Sequence, residues 1–291
     1  MLVKMCWLRL SIIYYLMIEQ ILNKLPPFKG KQRLARSIFK TRIATSSDLV
    51  IEGKYNCRYL VPNIKENIGF ELFVDGIYEQ ETIELILKKL PVNAVFLDIG
   101  ANIGAISVPV CKRRNDINAI GVEASKKVYG YLKKNIANNG IKNCLLINKA
   151  VSDADGQIVN FFSPDDLYGK GSMAAVFTSN SEDIETITID TLFDIHKLTV
   201  VDLIKIDVEG FEYFAFKGGE KLLMSKNAPD ILFEFVDWAE ALTKTCKPGD
   251  AQELLLKYGY SLWEFGTNNK LKQIDSPVTK GSFMIWASKR K

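Results

Sequence analysis

The stretch that most constrains this chain is AVFLDIGANIG at 94–104, an apolar run that meets an acidic residue and two glycines just before an apolar-patterned helix. A continuous apolar run suits a strand buried on both faces of a parallel sheet. Glycine at 100 lets the following turn bend tightly with a ligand against its backbone, and glycine at 104 lets helix and strand pack closely. The same alternation repeats downstream. Apolar runs at 94–99, 119–122, 144–147, 203–207, 231–235, 261–264 and 283–287 alternate with amphipathic stretches at 103–113, 126–138, 211–225 and 250–258. This pattern predicts an α/β fold around a mostly parallel sheet. An inserted hairpin, 157–162 with 186–189, is expected after the third strand, with its polar loop 164–183 positioned to cover a ligand.

The 291 residues, 47% apolar, suffice for one large core or two small ones. With 38 Lys+Arg against 34 Asp+Glu, the net charge of +4 selects no nucleic-acid partner. Five cysteines at 6, 57, 111, 144 and 246 form no paired spacing and read as reduced thiols of a cytoplasmic protein. Near the start, the apolar run 11–18 follows Lys4 and Arg9 but is too short to span a bilayer. It fits a helix packed on protein or resting weakly on a membrane surface, through residues 1–25. Residues 1–75 therefore read as a small extension with a helix and short strands at 49–52 and 57–61, leading through a helix at 79–90 into a main domain over 76–291.

The ligand class follows from the turn and what lies beyond it. Glu123 stands nineteen residues after Gly104 at the end of the next expected strand, where a carboxylate accepts the ribose hydroxyls of an adenosine ligand. A dinucleotide turn spaces three glycines as G-x-G-x-x-G around a pyrophosphate. Here residue 102 is Asn, and Asp98 before the turn repels a pyrophosphate but attracts an ammonium group. S-adenosylmethionine carries that ammonium. A second motif, LIKIDVEG at 203–210, ends a strand in two carboxylates, and its Lys205 needs a carboxylate partner, with Asp207 or Glu234 the candidates.

Taken together, FLDIGANIG at 96–104, GVEAS at 121–125, NKAVSD at 148–153, TITIDTLF at 186–193, LIKIDVEGFE at 203–212 and PDILFE at 229–234 resemble the FkbM-type methyltransferase family. The resemblance covers roughly residues 70 to 270 and implies a Rossmann-like class I methyltransferase sheet of seven strands, the last antiparallel, using S-adenosylmethionine and no permanent metal. It implies that Asp98, Gly100, Ala101, Asn102 and Gly104 hold the amino-acid end of the cofactor, Glu123 the ribose, and Ala150 the vicinity of the adenine. It also implies O-methylation of a sugar, glycan, glycolipid or natural-product hydroxyl. Ser125 stands where the family commonly has proline.

Methyl transfer to an alcohol needs an in-line approach and a group to take the proton. Asp207 is the first candidate for that base, with Glu209 and Glu234 beside it; their alternative is to neutralise Lys205 and cap a helix. Two acids at 207 and 209, with no histidine or third acid close in sequence, do not by themselves call for a metal. His196 reads as a packing or surface residue, and Phe211, Tyr213, Trp238 and Tyr168 as sugar-stacking or core aromatics. Two other readings are an NAD-dependent oxidoreductase and a non-catalytic adenosine-binding scaffold.

Overall fold

A computed structural model describes residues 30–290 apart from 244 and 267–269, together with Leu25 and Phe28. The expected helix at the start of the chain lies outside the described residues. Among the described residues, no helix is long and apolar enough to cross a membrane.

Helices α1 (Lys31–Ile38) and α2 (Lys40–Ala44) precede an antiparallel hairpin of β1 (Leu49–Glu52) and β2 (Arg58–Val61). Helices α3 (Asn67–Asp75) and α4 (Gln80–Lys89) lead to the first sheet strand. The chain then alternates through β3 (Val95–Ile99), α5 (Ser107–Arg113), β4 (Asn118–Val122), α6 (Lys126–Asn138) and β5 (Cys144–Ile147). Next come three short strands, β6 (Ala150–Val151), β7 (Ile158–Phe162) and β8 (Ser181–Ile187), and helix α7 (Ile189–Ile195). It returns to the main sheet with β9 (Leu203–Ile206), followed by α8 (Glu212–Lys217) and α9 (Glu220–Leu223). The remaining elements are β10 (Asp230–Val236), α10 (Asp237–Leu242), α11 (Asp250–Lys257), β11 (Ser261–Gly266), β12 (Lys270–Ile274) and β13 (Ser282–Ser288).

The main sheet has the order β12-β11-β13-β10-β9-β3-β4-β5. All seven expected strands are in it, and β13, last in the chain, runs antiparallel to both neighbours. This is the Rossmann-like class I arrangement, extended at one edge by the short strand β12, whose largely polar sequence KLKQI carried little strand signal. Strands β3, β9 and β10 are buried almost throughout because helices cover both faces, which is why their sequences are apolar and not alternating. From β3 the chain winds outward to β4 and β5, then crosses back to pair β9 on the other side of β3. That reversal opens a crevice at the carboxyl ends of β3 and β9, where α/β sheets take their ligands.

Two helices differ from their expected lengths for local reasons. The helix expected at 103–113 begins only at Ser107, because Gly100, Asn102 and Gly104 all have positive φ and hold 100–106 in turns. The helix expected at 211–225 is two, broken at Gly218 and Gly219, since a side chain at 218 would lie 2.1 Å from the Ser152 carbonyl oxygen. The inserted hairpin exists as β7 paired antiparallel with β8, which starts at Ser181, earlier than expected. Acids at 182, 183 and 185 flank a buried Ile184 there and obscured the strand. His196 caps the C-terminus of α7.

The first elements pack on the main sheet's helices. Buried Lys31 pairs with Asp75 at 2.8 Å, Phe39 meets the Phe73 ring edge-on, and both aromatic residues share a core with Ala101, Val108 and Leu132. Asn135, fully buried on α6, accepts from Leu60 N and donates to Leu60 O and Ile103 O, tying the β1–β2 hairpin to the turn after β3.

Two acids in the core carry a pH signature. Burial pushes Glu212 from an ordinary 4.5 up to about 8 and Glu240 up to about 7. Between those values the folded chain binds more protons than the unfolded one, so these groups stabilise the fold below pH 4.5, and their contribution is lost as pH rises through 7 to 8. Thermal melts from about pH 5 to about pH 8 should show a falling midpoint, and Glu212→Gln should flatten that fall; an identical slope in the variant contradicts the assignment.

Candidate active site

The crevice holds a cavity of about 250 Å³ whose wall begins with the turn after β3. Gly100 has φ 72°, and a Cβ there would lie 1.9 Å from the Asp207 carbonyl oxygen, so only glycine lets the two motifs touch. The amides of Gly100 and Ala101 both donate to Val122 O, fastening the turn to the end of β4. Glu123 follows there. Its Oε2 accepts from Asn102 N at 2.9 Å and its Oε1 from Ser125 N at 2.8 Å. A carboxylate has about four lone-pair sites, so these bonds fix its position and leave acceptor capacity facing the cavity. Burial pushes Glu123 up to about 7.

Strand register explains the buried lysine. Asp98 on β3 stands beside Lys205 on β9, and Asp207 lies two residues further along the same face. Lys205 Nζ donates to Gly100 O at 3.0 Å and lies 3.6 Å from both Asp98 Oδ1 and Asp207 Oδ2. Burial opposes its charge, but the carboxylates of Asp207 and Asp98 outweigh it and hold the ammonium above its ordinary range. Asp98 is wholly buried behind the turn and also accepts from Ser107 Oγ. Its partnership with Lys205 was not among the sequence expectations, which named Asp207 and Glu234.

Three carboxylates converge in the same cavity wall. One oxygen each from Asp207, Glu209 and Glu234 lies within 4.8 Å of the other two. Burial first, and then the charge of Asp207, push Glu209 up to about 7; burial with the charges of Asp207 and Glu209 pushes Glu234 up to about 9. Glu209 has φ 48°, and Lys170 Nζ donates to its Oε1 at 2.8 Å.

That lysine comes from the loop between β7 and β8, which covers the cavity with Tyr168, Lys170 and Met173. The loop is fastened at both motifs: Asn102 Nδ2 donates to Tyr168 O at 3.2 Å, and Ser172 Oγ to Glu209 O at 3.2 Å. Gly169 lies close against Glu66, whose Oε1 would be 2.7 Å from a Cβ there and would have to shift to admit one. Ala150, Phe161 and Met173 make an apolar end to the cavity beside Glu123.

Of the residues singled out by sequence, Gly100, Ala101, Asn102, Glu123, Ala150, Asp207, Glu209 and Glu234 line this cavity. Asp98 and Gly104 stand behind its wall; a Cβ on Gly104 would meet Leu132 at 2.9 Å, so that glycine serves packing. Tyr168 is the one of the four weighed aromatics that lines the cavity, whereas Trp238 is exposed against Phe177. Sequence reading missed Glu66, Tyr78, Glu79, Lys149 and Lys170 as wall residues. Glu66 and Glu79 stand immediately before helices, where acids are ordinary, and Lys170 belongs to an irregular loop with no periodicity.

The family described as Methyltransferase FkbM domain matches residues 98–262, more than half of the chain. A hexuronic acid methyltransferase, AglP, from Haloferax volcanii is 28% identical over 173 residues, covering 60% of this chain and 68% of that protein. Among solved structures, a precorrin-6y C5,15-methyltransferase from Geobacter metallireducens has 16% identity and a TM-score of 0.42, covering 74% of this chain and 90% of that one. TYW2 from M. jannaschii, solved with AdoMet, has 12% identity and a TM-score of 0.39 over 83% of this chain and 85% of that one.

The two glycines of opposite surroundings give a test. Gly100→Ala should destabilise the fold by more than about 1 kcal/mol. Gly130, on α6 with open space around its Cβ position, should gain roughly 1 kcal/mol on becoming Ala. Denaturant unfolding measures both, and a Gly100→Ala protein as stable as the parent would refute the close approach to Asp207.

Proposed function

The chain belongs to the FkbM methyltransferase domain family, and on that premise we propose that it transfers the methyl group of S-adenosylmethionine to a hydroxyl of a sugar, glycan or natural-product acceptor. One observation carries the reading: a glycine turn with Glu123 and a cluster of three carboxylates line the same cavity at the β3–β9 crevice. The cofactor fits this wall. Gly100, Ala101 and Asn102 present the turn to the cavity, Glu123 keeps free lone pairs, and Ala150, Phe161 and Met173 add apolar wall.

When bound, S-adenosylmethionine supplies an electrophilic methyl carbon. The turn Gly100-Ala101-Asn102 would hold its amino-acid end, Glu123 would accept from the ribose, and Ala150 would lie against the adenine. Asp98 and Gly104 act from behind, the first by fixing Ser107 and Lys205, the second by letting α6 approach. Asp207 takes the proton of the acceptor hydroxyl, and Glu209 and Glu234 flank it to hold neighbouring hydroxyls. Positioning contributes most of the rate, since the acceptor oxygen must lie in line behind the methyl carbon. The loop carrying Lys170 keeps water from that oxygen.

The relative AglP is named for hexuronic acid, which favours a sugar acid or a sugar hydroxyl in a glycan as the acceptor here. A nicotinamide oxidoreductase is disfavoured by the spacing of the glycine turn and by the family match. The catalytic unit is taken as residues 76–291, with 1–75 as an extension that contributes Glu66 to the cavity. Cys57, Cys111, Cys144 and Cys246 are all free, in keeping with a reducing cytoplasm, and the stretch 1–25 is the segment to examine for weak membrane contact.

Methyl transfer from labelled S-adenosylmethionine to a panel of neutral and acidic glycans should mark at least one member. Asp207→Asn should lose about a hundredfold or more in turnover while retaining affinity for S-adenosylhomocysteine, as removal of a general base requires. Normal turnover in that variant would sink the base assignment.

A further inference from the structure

Within the methyltransferase reading, on which its role rests, we propose that Asp207, Glu209 and Glu234 form a binding site for one hard divalent cation of the Mg²⁺ or Mn²⁺ class that holds adjacent oxygens of the acceptor. The three carboxylates come from two neighbouring strand ends, and one oxygen of each lies within 4.8 Å of the others. Oxygen-only donors suit such ions, which keep several positions for water or substrate oxygens.

A cluster of acids alone would not carry this. The second observation is the carboxylate of Glu209. Its side chain is only 8% exposed, and its Oε2 is buried without a hydrogen-bond partner. Lys170 occupies the other oxygen, Oε1, and so orients the carboxylate without using Oε2. A buried, unpaired carboxylate oxygen beside two further carboxylates is costly until a proton or a cation joins it. Such outer hydrogen bonds commonly fix a metal-binding carboxylate.

Charge accounting agrees. Asp98, Asp207, Glu209 and Glu234 are faced by two ammonium groups, Lys205 between Asp98 and Asp207, and Lys170 on Glu209. Two acids therefore remain without a lysine partner, and one divalent ion would join them. Over the whole cavity wall the imbalance persists, since Glu66, Glu79 and Glu123 add three acids and Lys149 one base. An anionic acceptor such as a sugar acid meets this wall more favourably through a cation than directly.

The test uses the full chain and Mn²⁺ itself, followed by the electron paramagnetic resonance signal of free Mn²⁺, with S-adenosylhomocysteine binding measured in parallel by calorimetry. One Mn²⁺ should bind per chain. Glu209→Gln and Glu234→Gln should each weaken it about tenfold or more, with folding checked by circular dichroism and cofactor-product affinity retained. Methyl transfer should fall on chelation and return with Mg²⁺ or Mn²⁺. Failure of the parent chain to bind Mn²⁺, or equal binding by both Gln variants, overturns the site whatever the cofactor does. Mn²⁺ binding without S-adenosylhomocysteine binding would leave the cation site standing and overturn the methyltransferase assignment of the cavity.

Discussion

Lys205 carries a charge inside a strand that is buried on both sides, and the surrounding elements are arranged to satisfy it. Its ammonium reaches the Gly100 carbonyl and lies between Asp98 on β3 and Asp207 after β9, so one side chain joins the turn of the first motif to the end of the second. Removing either carboxylate from such a buried group leaves uncompensated charge, a loss of several kcal/mol in comparable cases. The requirement explains why the two motifs sit at a fixed separation. It also explains Gly100, because strands drawn together at this point leave no space for a Cβ against Asp207.

From that junction the cavity is built outward by different kinds of element. Rigid strand ends supply Glu123, Asp207 and Glu234, whose positions follow from register. The inserted hairpin supplies a cover, tied to both motifs by Asn102 and Ser172 and bearing Lys170. The first segment of the chain supplies Glu66 and packs in one core with the helices behind the turn. Catalytic and binding groups on strand ends, covered by a loop of irregular structure, give precise positions together with adaptable access.

Much of this was legible in the sequence because parallel strands demand continuous apolar runs and tight turns demand glycine. The runs at β3, β9 and β10 and the turn at 98–104 are of this kind, as is Glu123 at a strand end. Lys205 was visible as an anomaly within a strand, but its partner Asp98 depends on the β3–β9 register, which joins residues more than a hundred positions apart. Strand β12 escaped notice because an exposed edge strand can be polar, and β8 because acids alternate with its buried residues. Lys170 and Glu66 reach the cavity through loop and cap geometry, for which spacing gives no signal.

The central claim is that the β3–β9 crevice binds the cofactor across the Lys205 junction. A crystal structure of the chain with S-adenosylhomocysteine tests it most directly. The account predicts the ribose at Glu123, the adenine against Ala150 and Phe161, and the sulfur directed toward Asp207. Product bound elsewhere on the molecule, or lying in the crevice with its sulfur turned away from Asp207, would contradict it.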